Sequence, residues 1–424
     1  MQGLTGSMRT AHDPYQALRF RDYRLLLFGM CIAQFGQQMV SVALGWELYN
    51  RTNSTLALGA VGLAQVLPIV ALFLPAGYMA DHQSRRRILL FTQAGLALGS
   101  LGLTALSFER GPLLLIYGCL ALMGSAAAFG GPASSALVAQ VIPTAAYENA
   151  MTWRSSIGQV SSVLGPTAGG FLVALLHGST WIYALNALAA LLYMSLLALL
   201  RVRRHGGSLA GGRSLRTIVE GVRFLRRTPV LLAALTLDLF AVLLGGATTL
   251  LPVFARDILA VGPVGLGWLQ AAASVGAVSM ALFLAHRPPL RHAGRTLLLA
   301  VAGFGLVTIV IGLSRLFVLS LLMLLILGAL DNVSVVIRST LVLVRTPDEM
   351  RGRVGAVNSL FVSTSNQLGG FESGLAAQLV GPVLAVVGGG IGTLVVVALV
   401  ARHWPEMRRL RTLSNDEVSP QAAG

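Results

Sequence analysis

The chain has 424 residues, 55% hydrophobic and only 11% charged, where a soluble protein carries about 25% charged residues. That composition excludes an ordinary soluble enzyme and points to a polytopic membrane protein. The net charge of +15 would suit a nucleic-acid binder, but all 31 basic residues are arginines, clustered in short segments between apolar runs. That is the pattern of cytoplasmic loops, and no nucleic-acid partner is expected.

Residues 1–18 are polar, and no small-residue cleavage site follows the first apolar run. The run therefore reads as an uncleaved first span rather than a signal peptide, with Met8 as an alternative start. Apolar runs predict twelve spans: 24–47, 56–80, 88–107, 112–139, 150–176, 180–201, 230–254, 264–285, 296–314, 316–343, 354–379 and 382–402. Each approaches or exceeds the roughly 20 residues that cross a bilayer. With the N-terminus in the cytoplasm, inside segments hold 25 arginines and outside loops hold four, Arg51, Arg110, Arg256 and Arg315. The asymmetry supports an even number of spans and cytoplasmic termini. The expected organisation is an N-terminal six-helix bundle (1–201), a cytoplasmic linker (202–229), a C-terminal six-helix bundle (230–402) and a cytoplasmic tail (403–424). Within the linker, 215–225 could form an amphipathic surface helix.

Shifting one half onto the other places His82 on His286, Arg87 on Arg291, Pro143 on Pro347, Gly165 on Gly369 and Gly170 on Gly374. Loop features fall on loop features. Six spans per half keep both halves in one orientation, so the repeat is parallel.

Between spans 2 and 3 lies PAGYMADHQSRRR (75–87), a tight turn carrying an Asp, a His and three consecutive arginines. Gly77, Asp81, Arg85 and Arg86 resemble motif A of the major facilitator superfamily, with His82 and Ser84 where that family usually has Arg and Gly. The resemblance implies a gating role, in which Asp81 meets the start of span 11 near residues 353–356. A carboxylate at a helix N-terminus is favoured by the helix dipole. A simple turn Asp capping span 3 is the plainer reading.

Span 5 contains VLGPTAGGF. Small residues at this spacing let helix backbones approach closely, and a proline kinks a helix at a fixed place. Gly165, Pro166, Gly169 and Gly170 resemble motif C of facilitator antiporters, although Ser161 replaces its leading glycine. Export is what that likeness implies, and ordinary helix packing is the alternative. The run from 331 to 375, with DEMRGRV and FESGL, resembles the enterobactin exporter branch of the superfamily. The implied fold is all-α, two six-helix repeats around a central cavity. The implied function is proton-coupled export by alternating access. The expected substrate is a small amphipathic molecule, a siderophore first and a drug second. A monomer is expected in the family, and no cofactor beyond the proton gradient.

Ionisable residues inside spans are expensive in hydrocarbon and should face a cavity or a partner. Four stand out: Asp238 in span 7, Asp331 and Arg338 in span 10, and Glu372 in span 11. Counted from the arginine-rich end at 1.5 Å per residue, Asp238 and Arg338 sit at comparable depth. They are expected to approach each other, with Asp331 deeper. The pair could couple protons or simply hold span 7 against span 10. In the facilitator fold, spans 1, 4, 7 and 10 line the cavity, which nominates Gln34, Gln37, Gln38, Ser125, Ser134, Ser135, Thr248, Asn332, Ser334 and Arg338 as ligand-facing groups. Glu372 is either a transport residue or a packing one. Glu47 and Arg51 could be interfacial. The chain has no P-loop, no metal-ligand cluster and no nucleophile constellation, so an ATP-driven pump, a metal site and an enzyme are not expected. Cys31 and Cys119 both lie in apolar runs and give no disulfide framework.

Overall fold

The computed structural model describes residues 13–201, 215–287 and 292–410, with the backbone alone at 80–82, 132, 215–218, 348–349, 352, 356 and 409. The side chain of Asp81, residues 202–214 of the linker and residues 411–424 of the tail therefore lie outside the described residues. Among the described residues the fold is helical with no strand.

Spans 1 to 6 are Arg21–Thr52, Thr55–His82, Arg85–Phe108, Leu113–Val141, Tyr147–Leu175 and Thr180–Ala198. Spans 8 to 12 are Gly262–Ala285, Ala293–Leu313, Phe317–Arg345, Asp348–Val380 and Pro382–His403. Span 7 is broken. It runs as Pro229–Leu244, then through short turns at Gly246–Thr248 and Leu251–Val253 into a π-helical turn, Phe254–Ile258. The break falls at Gly245 and Gly246, where a Cβ on Gly245 would lie 2.6 Å from the Phe304 ring. Eleven of these segments are long and apolar enough to cross a membrane. Span 11 is the exception by composition, because it carries Asn358, Asn366, Gln367, Glu372 and Gln378. It packs against spans 2 and 7, and Asn366 and Gln367 among those groups line a cavity.

Local sequence sets the ends. Asn53 adopts the left-handed conformation that closes span 1, and the Ser54 side chain caps span 2. Prolines sit in the first turns of spans 7, 8 and 12, where a missing N–H costs nothing. The surface helix forms as Leu215–Arg227, and its Glu220 pairs with Arg353 at the start of span 11.

The halves meet through spans 2 and 11 and through spans 5 and 8. Both contacts are made by backbone against backbone. A Cβ on Gly267 of span 8 would lie 2.6 Å from the Pro166 carbonyl oxygen. A Cβ on Gly374 of span 11 would lie 2.6 Å from the Thr55 carbonyl oxygen and 2.7 Å from Gly59 Cα. Thr55 also donates its hydroxyl to the Gly374 carbonyl at 2.9 Å. The span 5 glycines divide between two neighbours. Gly165 and Gly169 seat against span 1, at Phe35 and Met39, while Gly170 seats against Gly267 and Pro263 of span 8. The second half repeats this, with Gly369 against Val242 and Leu243 of span 7 and Gly374 against span 2.

The hydrophobic cores show which end is closed. At the arginine-rich end each half has its own core, one around Tyr23, Leu137 and Leu197, the other around Leu231, Leu297 and Ile337. At the opposite end the cores are shared. Leu48 and Tyr49 pack with Leu250, Val253 and Phe254, and Val42 packs with Leu251 and Leu266. Polar links reinforce the closure: the Tyr49 hydroxyl donates to the Asp257 carboxylate, and Arg256 donates to Asn53 Oδ1 at 2.7 Å and to the Tyr49 carbonyl at 3.2 Å. The molecule is therefore open at its arginine-rich end.

Overpacking a seated helix costs about 1–3 kcal/mol. Gly267→Val should therefore lower the melting temperature in detergent by several degrees and abolish transport. Gly118→Val, where a Cβ meets nothing within 4 Å, should leave both near wild type.

Candidate functional site

A cavity of about 820 Å³ lies between the halves, within the size range of small-molecule sites. Its wall is not the expected one. Spans 1, 4 and 7 contribute Gln37, Gln38, Gly124 and Thr248, but so do span 2 (Gln65), span 5 (Ser162, Pro166), span 8 (Gln270, Ser274) and span 11 (Asn366, Gln367). Span 10 contributes nothing to it. The reason is the glycine packing. Where spans 2 and 11 and spans 5 and 8 touch backbone to backbone, their flanking side chains are turned onto the cavity wall.

Gln38 therefore lines the cavity as expected, but Gln34 does not: one turn nearer the open end, it is exposed. Asn332 is turned into the protein, and its Oδ1 is buried without a hydrogen-bond partner. Ser334 and Asp331 line a small void with Asp238 between spans 7, 9 and 10. Glu372 is absent from every cavity wall described here and accepts a hydrogen bond from Ser373 at 3.3 Å. The cavity groups that sequence reasoning missed are Gln65, Gln270, Asn366 and Gln367. The signal was a carboxamide inside an otherwise apolar run, on spans outside the set expected to line the cavity.

The ionisable residues form an ordered series. A side cavity of about 270 Å³ shares Thr248, Thr249, Ser274 and Asn366 with the central one and reaches Asp331. Behind Asp331 the small void leads to Asp238. Asp238 is in turn ion-paired with Arg338, with side chains only 8% and 7% exposed. Asp331 has no ion-pair partner among the described residues and is the one acid on the side-cavity wall.

Of the 75–87 turn, the side chain of Arg86 is held within its own half. Arg86 donates Nε to the Leu197 carbonyl at 2.8 Å and Nη2 to the Ala198 carbonyl, which caps the end of span 6. Gly77 is buried and Arg85 half-buried. Arg353, near which a partner for Asp81 was expected, is engaged by Glu220 of the surface helix. Glu47 and Arg51 are more than interfacial. They pair at 2.6 Å, and Arg51 also donates to the carbonyls of Leu106 and Ser107 at the end of span 3.

Two six-helix halves around a polar cavity open at one end are the architecture of a membrane transporter of the major facilitator class. The family model described as transmembrane secretion effector matches residues 12–422, and the chain belongs to that family. It is 27% identical to the multidrug efflux pump Tap of Mycolicibacterium fortuitum, over 91% of this chain and 96% of that protein. It is 26% identical to the enterobactin exporter EntS of Shigella flexneri, over 92% of this chain and 93% of that protein. In fold it resembles a bacterial homologue of the human lysosomal transporter Spinster in an inward-facing, unoccupied conformation, with a TM-score of 0.69 at 15% identity over 94% of this chain and 98% of that one. It also resembles a peptide transporter, POT, with a TM-score of 0.71 at 13% identity over 95% and 100% of the two chains.

Removing one partner of a buried ion pair costs about 3–5 kcal/mol, because the other charge is left uncompensated. Asp238→Ala should therefore lower thermal stability sharply, and the double variant Asp238→Ala with Arg338→Met should recover most of it. A single variant as stable as wild type would show that the pair does not hold spans 7 and 10 together.

Proposed function

We propose that the protein is a proton-coupled exporter in the cytoplasmic (inner) membrane that works by alternating access. Both termini face the cytoplasm, and the proton gradient is its only energy source. It acts as a monomer. The substrate is a small amphipathic molecule, first an enterobactin-like siderophore. The observation that carries this reading is Asp331. It stands between the substrate cavity and the Asp238–Arg338 pair, without a counter-charge of its own among the described residues. An acid so placed can take a proton while the cavity is open to one side and release it when the cavity faces the other. The arginine distribution supports an opening toward the cytoplasm, the side from which an exporter loads. The glycine-proline motif of span 5 and the exporter-like run at 331–375 favour export over uptake.

Multidrug efflux is the second reading, favoured by similarity to the Tap pump at the same level as to the enterobactin exporter. The two separate in iron-starved cells: a catecholate or related chelator retained inside a deletion strain supports the siderophore reading. Unchanged chelators with heightened drug sensitivity support the other. Independently, Asp331→Asn should reduce proton-driven export at least tenfold while leaving substrate binding within about threefold. Full proton-coupled export by that variant would overturn the coupling role.

A further inference from the structure

The central cavity is polar without being charged. None of its lining residues is Asp, Glu, Arg or His, and none is aromatic. Its polarity comes from hydroxyls and from six carboxamides: Gln37, Gln38 and Gln65 of the first half, and Gln270, Asn366 and Gln367 of the second. Gln367 donates to Gln65 at 2.9 Å across the boundary between the halves, so each still offers hydrogen-bonding capacity to the cavity. Gln38 and Gln270 make no side-chain hydrogen bond among the described residues. Each therefore presents two donors and an acceptor, one from each half.

This wall has a consequence for ligand charge. On this wall a cation would find neither a carboxylate nor an aromatic face to stack on; Asp331 and Phe304 belong to the adjoining side cavity. An anion would find no guanidinium or imidazole. While the cavity is open, water screens such a ligand. Once it is occluded, an ionised group without a counter-charge loses that water and the penalty becomes large. Charge is therefore rejected at occlusion, not at entry. A neutral ligand rich in hydroxyl and amide groups keeps its hydrogen bonds, because carboxamides supply donors and acceptors on both sides.

Resting on the exporter reading above, we infer that the transported substrate is electrically neutral and hydrogen-bond-rich, held between amides of the two halves. Lipophilic cations and permanent anions are excluded. Asp331, in the side cavity, is left to the proton.

The test uses everted membrane vesicles containing the full-length protein and an imposed proton gradient. Four probes are compared: chloramphenicol and 2,3-dihydroxybenzamide as neutral molecules, ethidium as a permanent cation and fluorescein sulfonate as a permanent anion. The expected result is gradient-dependent accumulation of at least one neutral probe, with ethidium and fluorescein sulfonate at the level of empty vesicles. Gln38→Leu and Gln270→Leu should each reduce neutral accumulation about 3- to 10-fold, the worth of one or two hydrogen bonds. Gln270→Glu should raise ethidium accumulation at least threefold, and Gln38→Glu serves the same purpose if the first variant does not fold. Ethidium or fluorescein sulfonate carried as well as the neutral probes by the unaltered protein overturns the inference and leaves the exporter intact. Neutral transport unaffected by either leucine variant overturns it too. A verified gradient that moves none of the four probes overturns the exporter reading itself.

Discussion

The structure depends on backbone meeting backbone between its two halves. In lipid there is no hydrophobic drive to press helices together, so association rests on close van der Waals fit. Here that fit is supplied by Gly267 against Pro166, and by Gly374 against Thr55 and Gly59. The two contacts are equivalent under the internal repeat, since Gly170 and Gly374 occupy corresponding places, as do Gly165 and Gly369. Each half also keeps a private core at the arginine-rich end. The halves are therefore built to move as bodies about seams where helices meet backbone to backbone.

The same packing creates the chemistry of the interior. Seating spans 2, 5, 8 and 11 so tightly turns Gln65, Ser162, Gln270 and Gln367 onto the cavity wall. The break at Gly245 and Gly246 sets Thr248 and Thr249 beside them. Behind this uncharged wall the acids divide their work. Asp238 is taken up by Arg338, which satisfies the most costly buried charge in the second half. Asp331 has no counter-charge among the described residues and lies one cavity closer to the central one.

Much of this was legible in the sequence. Apolar run length gave the spans, and arginine asymmetry gave the sidedness of the proposal. Helical rise alone brought Asp238 and Arg338 to one depth, because both lie on continuous helical stretches counted from the same end. The motif glycines announced close packing, though not that Gly165 and Gly170 face different neighbours. The cavity wall was less legible. Which face of a helix meets a cavity depends on crossing angle and on what its other faces touch, and one span read alone carries neither. Gln34 and Gln38 share a helix face, yet only the deeper one lines the cavity. Asn332 and Asp331 are adjacent in sequence, yet one is turned into the protein and the other toward a void. Glu47 and Arg51 looked peripheral because their partners on span 3 are 55 or more residues away in sequence.

Reversing the open end requires parting the shared cores around Tyr49 and Val42 and breaking the Tyr49–Asp257 and Arg256–Asn53 links. Hydrophobic surface lost there must be offset by surface gained at the arginine-rich end, where the private cores face each other across the opening. A ligand shifts such a balance only by binding one arrangement better than the other. Amides contributed by both halves are suited to this. A molecule that bridges Gln38 and Gln270 is held best when the halves are close around it, as they are in an occluded state between the two openings. Such a ligand lowers the barrier between states without favouring either end, and under the proposed coupling the direction of travel is set by the proton on Asp331. In the proposed division the cavity chooses what moves, and the acid behind it decides which way.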